Sequence, residues 1–382
     1  MNRLIKSAFA LFLTLLLLFH CAAVYADGGF EEKYSSTAAH LQTCPTPEVG
    51  SIGGEWLVIG LARSGRISRE MKEGYFRNVL HFVEDKGSAK LDRSKSTENS
   101  RVILALTAIG KDVTDVAGHN LLEPLADFKF VVKQGLNGAV WALIALDSLQ
   151  YDIPETTAQE PTTREKLIAY LLDRQNESGG WDIKDSYADP DMTGMVIQSL
   201  APYYSRNQEV KEAVDRALTT LSETQLESGA FVTYGSQTPE SAAQMLTALC
   251  ALEIEPREDS RFIKNGSSIL DNLLSFSVEN GFEHFKNDGY NQMSTEQAYY
   301  AMTALYRLEN GEAALYDMCD TLPVYDVNLD GKANISDVTL VQQYVAELCD
   351  FNARQLKVAH AYPDGNINIS YATEIQRYIS SQ

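Results

Sequence analysis

Short apolar, alanine-rich segments alternate with longer amphipathic segments between residues 50 and 318. The first kind is apolar on nearly every face, which predicts helices buried on all sides. Six such segments begin near residues 54, 97, 137, 189, 238 and 293. The second kind repeats apolar residues on one helical face only, for example in 70–84, 163–175, 208–224 and 261–277. The alternation predicts an all-α domain in which outer helices wrap an inner ring, an (α/α)6 toroid of about six helical hairpins.

A short motif recurs ahead of the buried segments. Q-N-E-S-G-G-W at 175–181 and Q-L-E-S-G-A-F at 225–231 share Gln, Gly and an aromatic residue, and V-E-N-G-F-E-H-F at 278–285 is a weaker copy. These repeats resemble those of the terpenoid cyclase and protein prenyltransferase superfamily over most of residues 50–318. We expect the Gln to tie a helix end, the Gly to turn the chain and the aromatic ring to pack between layers. The motif therefore indicates a fold and leaves the function open.

Residues 326–337, D-V-N-L-D-G-K-A-N-I-S-D, have the spacing of a calcium-binding loop. Oxygen-bearing side chains surround a turn at Gly331, and an amphipathic segment follows. Because calcium takes about six to eight hard oxygens in a flexible shell, this spacing predicts a site for one Ca²⁺ ion. The predicted ligands, with Lys332 contributing its backbone carbonyl, are Asp326, Asn328, Asp330, Lys332, Asn334 and Asp337.

This loop, with Asp337 where an ordinary EF-hand has Glu, resembles a type I dockerin, a module of cellulosomal proteins. A second unit at 360–371 lies 34 residues further on, and the resemblance covers about residues 322–382. It implies docking onto a scaffoldin cohesin through two loop positions and the following helical turns of each unit. The implied cohesin-binding residues are Ile335, Ser336, Gln342, Gln343, Ile369, Ser370, Gln376 and Arg377.

The second loop departs from the dockerin pattern. His360, Tyr362 and Tyr371 occupy positions where the first loop has oxygen ligands, so that only Asp364 and Asn368 remain. We therefore expect one calcium ion per chain, bound by the first loop.

The N-terminal 26 residues have the organisation of a secretory signal. Arg3 and Lys6 precede an apolar run, and A-V-Y-A ends at Ala26 with small residues at the cleavage positions. The apolar run is too short to span a membrane comfortably. Together with the dockerin resemblance, it predicts a secreted protein of a cellulosome or cell surface. Residues 27–49 are expected to form a linker or N-terminal extension.

The chain is strongly acidic, with 52 acidic against 32 basic residues and a formal net charge of −20. Such a charge disfavours nucleic acid and anionic membrane surfaces as partners. An oxidising exterior permits disulfides between the four cysteines outside the signal, and their pairing stays open. Cys250 lies in an apolar segment and is expected to be a buried thiol, whereas Cys44 and Cys319 flank the large domain and Cys349 lies in the dockerin-like part.

Acidic residues stand at the start of five of the six buried segments: Glu55, Glu98, Asp191, Glu240 and Glu296. Because inner helices of a toroid run parallel, these side chains are expected to surround one mouth of the central cavity. Further polar and aromatic residues fall near the same level: Trp56, Arg101, Trp141, Gln244, Gln297 and Tyr300. One interpretation is repeated helix capping, as in T-P-E at 238–240 and S-T-E-Q at 294–297. The other is a funnel that holds a ligand.

The segment A-D-P-D-M-T-G at 188–194 resembles the D-x-D-D-T-A motif of cyclases that protonate an alkene. Asp191 matches the proton donor, but Met192 replaces the neighbouring Asp. Asp189 and Pro190 are also a good N-cap and first helical residue. The zinc ligands of prenyltransferases have no match around Cys250. We therefore do not expect terpenoid cyclisation.

Two functional hypotheses remain. In the first, the dockerin attaches the protein to a scaffoldin and the toroid binds a polysaccharide, a small ligand or another protein. In the second, the toroid is a glycoside hydrolase or lyase whose active site is the acidic mouth. A cleft open at both ends with two carboxyl groups about 5–10 Å apart would favour a hydrolase. A closed cavity would favour binding.

Overall fold

The computed structural model describes residues 29–184, 187–322, 325–329, 332–360 and 367–381. The predicted signal segment, Asp330 and Gly331 of the first loop, and Tyr362 and Asp364 of the second loop lie outside these ranges. Within them the chain is mostly helical, which confirms the all-α class. Regular β-structure among the described residues is limited to one antiparallel hairpin, β1 (Ser277–Val278) and β2 (Gly281–Phe282).

Fifteen α-helices follow one another along the described residues. They are α1 (29–41), α2 (Trp56–Arg63), α3 (Arg69–Lys86), α4 (Ser96–Ala108), α5 (Phe128–Val131), α6 (Leu136–Ser148), α7 (Arg164–Leu172), α8 (Pro190–Leu200), α9 (Gln208–Thr224), α10 (Pro239–Ala251), α11 (Ile269–Ser275), α12 (Gln292–Glu309), α13 (Ile335–Val345), α14 (Ala353–His360) and α15 (Ile369–Ser381). Short 3₁₀ turns lie at Glu123–Ala126, Val132–Gln134, Ala201–Tyr203 and Cys319–Thr321.

Six helices correspond to the six apolar segments: α2, α4, α6, α8, α10 and α12. Each packs against the next, and α12 packs back against α2, so the contacts form a closed cycle. We call these six the inner helices and their cycle the ring. These helices are buried on all sides, as their composition predicts; α6, for example, buries every residue except Asn137. Because Ala and Gly are frequent in them, the helices approach closely, and a Cβ atom at Gly60 of α2 would lie 3.0 Å from the Tyr299 ring of α12.

Helices α3, α5, α7, α9 and α11 alternate with the inner helices along the chain, and α5 is only four residues long. In α9 one face is buried, through Val210, Ala213, Val214, Ala217, Leu218 and Leu221, which recur at helical spacing. The expected segment 261–277 contains only the short helix α11, because Ser268 starts that helix with a capping box to Asp271.

Helix α1 lies within residues 27–49, the segment expected to form a linker or N-terminal extension, and it packs into the core of the six buried helices. Its buried apolar residues are Phe30, Tyr34, Ala38 and Leu41. The Tyr34 ring stacks on those of Tyr299 and Tyr306 of α12, with centroids 5.3 and 5.2 Å apart. The last inner helix is therefore covered by the N-terminal part of the chain.

The repeated motif has the predicted structural role. The Gln175 amide donates to the Gly179 carbonyl at 2.6 Å and to the Ala213 carbonyl of α9 at 2.7 Å. The Gln225 amide donates in the same way to Gly229 at 3.0 Å and Phe262 at 3.1 Å. Each Gln thus closes its own turn and ties it to a later segment.

The glycine and the aromatic residue of the motif also behave as expected. Gly179 and Gly229 have φ values of +89° and +78°, a conformation that side chains with a Cβ rarely adopt. Trp181 is fully buried, and its indole N–H donates to the Leu171 carbonyl at 2.7 Å.

The C-terminal helices α13, α14 and α15 form a second, separate hydrophobic core. Helix α13 packs on α15, and α14 contacts the turn Cys319–Thr321. That turn is fixed to the ring, because Asp320 forms ion pairs with Arg63 at 2.5 Å and with Arg307. The buried guanidinium of Arg63 also donates to the backbone carbonyls of 314, 315 and 317.

The four cysteines within the described residues form no disulfide. Cys250 is buried, as expected. Cys44 lies beside Gln292 at the start of α12, whereas Cys319 belongs to the turn that Asp320 fixes near the end of that helix. No helix in the described ranges is long and apolar enough to cross a lipid bilayer.

Candidate functional site

A cavity of about 510 Å³ lies where the N-terminal halves of the inner helices converge. We call it the mouth cavity. Its size falls within the range of about 300–1,000 Å³ that is usual for small-molecule sites. Seven sequence-predicted residues line it: Trp56, Trp141, Asp191, Glu240, Gln244, Gln297 and Tyr300. The remaining lining comes from Met195, Met293 and the loop residues Thr233, Tyr234, Ser236, Thr238, His284 and Phe285.

Aromatic rings form the inner end of the mouth cavity. The Trp56 ring lies 4.8 Å from that of Trp141 and 5.9 Å from that of Tyr300. Tyr316 packs edge-on against Trp141 at 5.9 Å and lines a second cavity of about 670 Å³ at the C-terminal ends of the inner helices. The aromatic layer separates the two cavities, so the mouth cavity is a pocket closed at its inner end.

Three of the predicted polar residues form one hydrogen-bond network. The Gln244 amide donates to the Tyr300 hydroxyl at 2.7 Å, and that hydroxyl donates to Gln297 at 3.2 Å. Gln198, which sequence reasoning missed, donates to the Gln244 side-chain oxygen at 2.9 Å. The amide groups are therefore held in fixed orientations before any ligand arrives.

Two of the five predicted carboxylates line the mouth cavity. Asp191, in the first turn of α8, accepts a hydrogen bond from the Thr233 hydroxyl at 3.3 Å. Burial raises the pKa of Asp191 to about 6, and the nearby charges of Asp189 and Glu240 act in the same direction. A carboxyl group with a pKa of about 6 changes its protonation state just below neutral pH.

Glu240 stands at the start of α10 and is held by two side chains that sequence reasoning missed. The Ser294 hydroxyl donates to one carboxylate oxygen, and His284 Nδ1 lies 3.0 Å from the other. His284 is a single histidine in the loop that carries the weakest copy of the repeat. Nothing in its sequence context distinguished it, and only the fold brings it to Glu240.

The other three predicted acids do not line the mouth cavity. Glu55 and Glu296 are buried beside the chain that leads into α2. The Gly50 N–H donates to Glu55, and the Gly53 N–H donates to Glu296 at 2.9 Å. Burial raises the pKa of both carboxyl groups to about 7.

Glu98 is paired with Arg101 at 2.6 Å, and Arg101 also contacts Glu55 at 3.3 Å. Arg101, expected near the mouth, is thus occupied with these two acids and does not line the mouth cavity. On this side of the ring the acids are engaged with Arg101 and with the backbone N–H groups of Gly50 and Gly53.

The capping interpretation is confirmed for two helices. Asp189 accepts from the Met192 N–H at 2.9 Å at the start of α8, and Thr238 caps α10. It is wrong for 294–297, because α12 begins earlier and its N-cap is Asn291. Asp191 and Glu240 are therefore not the caps of their helices, and their carboxyl groups face the cavity.

The first calcium-like loop brings two carboxylates into a buried position. Asp326 and Asp337 are both fully buried. Asp337 accepts hydrogen bonds from the backbone N–H groups of Asn328 and Asn334, each at 2.8 Å. These two hydrogen bonds hold Asp337, the last residue of the loop, against the loop backbone. The side chain of Asn334 caps α13. Carboxylate, amide and carbonyl oxygens are the ligands that a hard cation such as calcium takes, and this loop offers such oxygens.

Within the described ranges, no three acidic, cysteine or histidine side chains are grouped so as to hold a metal ion. The fit to calcium therefore depends on amide and carbonyl oxygens of Asn328, Lys332 and Asn334 beside Asp326 and Asp337. The further predicted ligand Asp330 lies outside the described residues.

The eight residues implied as cohesin contacts are all exposed. Ile335 at the start of α13 is 63% exposed, and Ile369 at the start of α15 is 57% exposed. Each of the two helices thus begins with an exposed apolar side chain at the matching position.

These features define an all-α protein with a cycle of six buried helices, a polar and aromatic mouth cavity, and a separate C-terminal helical core. No model of a known protein family matches the chain, and no curated protein matches it.

Proposed function

We propose that this is a secreted accessory protein of a polysaccharide-degrading assembly. Residues 50–318 form an (α/α)6 toroid that binds a carbohydrate in the mouth cavity, and residues 322–382 form a type I dockerin. The observation that carries the proposal is the mouth cavity itself, in which tryptophan rings and fixed side-chain amides converge.

The closed cycle of inner helices supports the toroid. Its outer layer is completed by α1, which accounts for six outer helices against six inner ones. Alternation of buried and half-buried helices around one core is the packing that such an architecture needs.

A carbohydrate fits the chemistry of the mouth cavity. Aromatic faces such as those of Trp56 and Trp141 pack against the C–H faces of sugar rings. Amides and carboxylates such as Gln244, Gln297 and Glu240 supply directional partners for hydroxyl groups. Because the cavity is closed at its inner end, it suits a chain end or a short oligosaccharide better than a long chain passing through.

The C-terminal part supplies attachment. In the dockerin, Asp326, Asn328, Asn334, Asp337 and the Lys332 carbonyl would hold calcium, which would link the loop to α13 and stabilise the module. The exposed starts of α13 and α15 would then contact a cohesin. Since an Ile–Ser pair occurs in both, two related binding orientations are available.

Carbohydrate binding is tested by titrating the full chain with neutral and charged oligosaccharides and measuring heat. Gln297→Ala should weaken binding, because it removes a group of the fixed network, whereas Gln208→Ala, on the outer helix α9, should not. Absence of binding to every class of oligosaccharide would refute the ligand part of the proposal.

Docking is tested separately with immobilised cohesins in calcium and in chelator. The double change of Ile335 and Ile369 to Asp should abolish binding, because it places charge in both contact surfaces. Ile183→Asp, at a ring residue that is 70% exposed, is the matched control. Binding that survives the double change or the chelator would contradict the dockerin assignment.

A second candidate function is supported by one observation, the raised pKa of Asp191 beside Glu240 in the same cavity. Two carboxyl groups in unlike environments are the arrangement used by glycoside hydrolases. Release of reducing ends from a plant polysaccharide, abolished by Asp191→Asn, would establish this function. Conversion of squalene or a prenyl diphosphate is not expected.

A further inference from the structure

The charged lining of the mouth cavity is mainly acidic. Among the described residues, its charged lining consists of Asp191 and Glu240, with His284 beside Glu240, and no lysine or arginine reaches it. A uronic acid or a diphosphate would meet repulsion there, because like charges in a partly buried site cost free energy. The ligand should therefore be neutral or positively charged.

The groups around Asp191 give it little positive compensation. Its carboxylate accepts from hydroxyl groups of Thr233 and Ser241. The titratable groups that face this part of the cavity, from α8, α10, α12 and the surrounding loops, are Asp182, Tyr187, Asp189, Tyr234, Glu240, His284 and Tyr300. The nearby cation Lys184 lies 4.8 Å from the Tyr234 ring and does not line the cavity.

The aromatic lining favours a cation as well. Tryptophan faces attract ammonium groups through the ring quadrupole, and the attraction grows when the site is shielded from water. Trp141 is buried, and the rings of Trp56 and Tyr300 lie within 6 Å of one another at the inner end of the cavity. The mouth cavity thus combines acidic groups with an aromatic inner end.

We propose that the mouth cavity binds a sugar that carries a primary ammonium group, a glucosamine-type unit, with the ammonium beside Asp191 and Glu240 and the sugar ring against Trp56 and Trp141. This inference rests on the proposed carbohydrate binding and specifies its chemical class. Neutral sugars carry no positive charge that could pair with these two carboxylates.

A measurable linkage follows from this arrangement. A bound ammonium group stabilises the charged form of Asp191, so binding lowers the pKa of this group from about 6. At a pH where the sugar ammonium group is fully charged, binding should therefore release a proton, and affinity should rise between about pH 5 and pH 6 as Asp191 loses its proton in the free protein.

The test is calorimetric titration of the full chain with glucosamine tetrasaccharide and with its fully N-acetylated counterpart. We expect the glucosamine tetrasaccharide, whose amino groups are charged at pH 6, to bind at least about tenfold more tightly than the acetylated sugar at that pH. Repeating the titration in buffers of different ionisation heat counts the protons released. Asp191→Asn should bring the two sugars to within about threefold and abolish the proton release, while Glu84→Gln, an exposed acid of α3, should change neither.

The possible outcomes separate the two proposals. Equal or tighter binding of the acetylated sugar would overturn the ammonium inference and leave carbohydrate binding intact. Absence of binding to either sugar and to all neutral oligosaccharides would overturn both. If Nα-acetyl-lysine amide bound as tightly as the tetrasaccharide, the sugar part would be wrong. Should Asp191→Asn fail to fold, the sugar comparison and the proton count in the wild-type chain still decide.

Discussion

Glu296 provides the sharpest test of the energetics of the ring. One of its carboxylate oxygens accepts from the Gly53 N–H and from the Gln292 amide at 2.6 Å. Its other oxygen is buried and has no hydrogen-bond partner among the described residues. Burial raises the pKa of Glu296 from 4.5 to about 7, and the charge of nearby Glu55 acts in the same direction.

The direction of the pH effect follows from this shift. Because the folded pKa lies above the unfolded one, the folded state holds its proton more tightly, and the associated stability is fully present below about pH 4.5. It is lost as the pH rises through 7. One pKa unit is worth about 1.4 kcal/mol, so ionisation of Glu296 costs up to about 3 kcal/mol, of which roughly 2–3 kcal/mol is lost between pH 5 and pH 8.

Glu296→Gln should remove this loss, because glutamine keeps the carbonyl that Gly53 contacts and carries no charge. We expect the variant to match the wild-type chain within about 1 kcal/mol at pH 5 and to be roughly 2–3 kcal/mol more stable at pH 8. Glu55, whose pKa is also raised to about 7, keeps part of the pH dependence in the variant.

The assay is guanidinium unfolding at a series of pH values, followed by tryptophan fluorescence. All three tryptophans lie in the ring, so the signal is independent of the C-terminal helices. Glu84→Gln, which removes a charge from an exposed position, is the matched control. A variant with the wild-type slope, or one less stable than wild type at pH 8, would refute the assignment of a buried, poorly compensated carboxylate.

Three further predictions concern the repeat motif and the C-terminal module. Gly229→Ala should destabilise the ring by about 2–4 kcal/mol in thermal melts, because its φ is +78° and a Cβ would lie 2.2 Å from the Ser268 carbonyl oxygen. The control Gly235→Ala should cost only about 1 kcal/mol, because this glycine has a similar φ of +86° but open space around it. Trp181→Phe should cost about 1–3 kcal/mol, since it leaves the Leu171 carbonyl without its indole donor. Chelation should unfold the C-terminal helices without changing tryptophan fluorescence, and calorimetry should show one calcium ion per chain.

The inner helices were predictable because two signals agreed. Their all-round apolar composition marked buried helices, and capping residues such as Asp189 and Thr238 marked their starts. The observed starts therefore lie within about two residues of the expected ones. The repeat motif added the positions of the turns, since only a glycine adopts the φ of +89° found at Gly179.

Helix α1 could not be assigned in the same way. Its apolar face has only four members, and the partners that bury it, such as Tyr299 and Tyr306, lie more than 250 residues away in the chain. A short amphipathic segment is stabilised mainly by packing, and packing across such a separation leaves no local signal.

The mouth cavity was predictable only in part. Parallel inner helices place residues of equal register at one level, which correctly grouped Trp56, Trp141, Gln244 and Tyr300. The chain leading into α2 folds back over Glu55 and Glu296, however, and helical register says nothing about such a turn. His284 and Tyr234 come from loops, whose positions depend on the completed fold.

The connection between the ring and the C-terminal helices determines how the two proposed functions combine. The turn Cys319–Thr321 is fixed by Asp320 to Arg63 and Arg307, which lie near the C-terminal ends of α2 and α12. The mouth cavity opens among the N-terminal halves of the inner helices, at the other end of the ring. The C-terminal core is therefore joined to the face opposite the mouth cavity. A partner that binds α13 and α15 would leave the cavity free to receive a ligand, so attachment and ligand binding can occur together without competing for one surface.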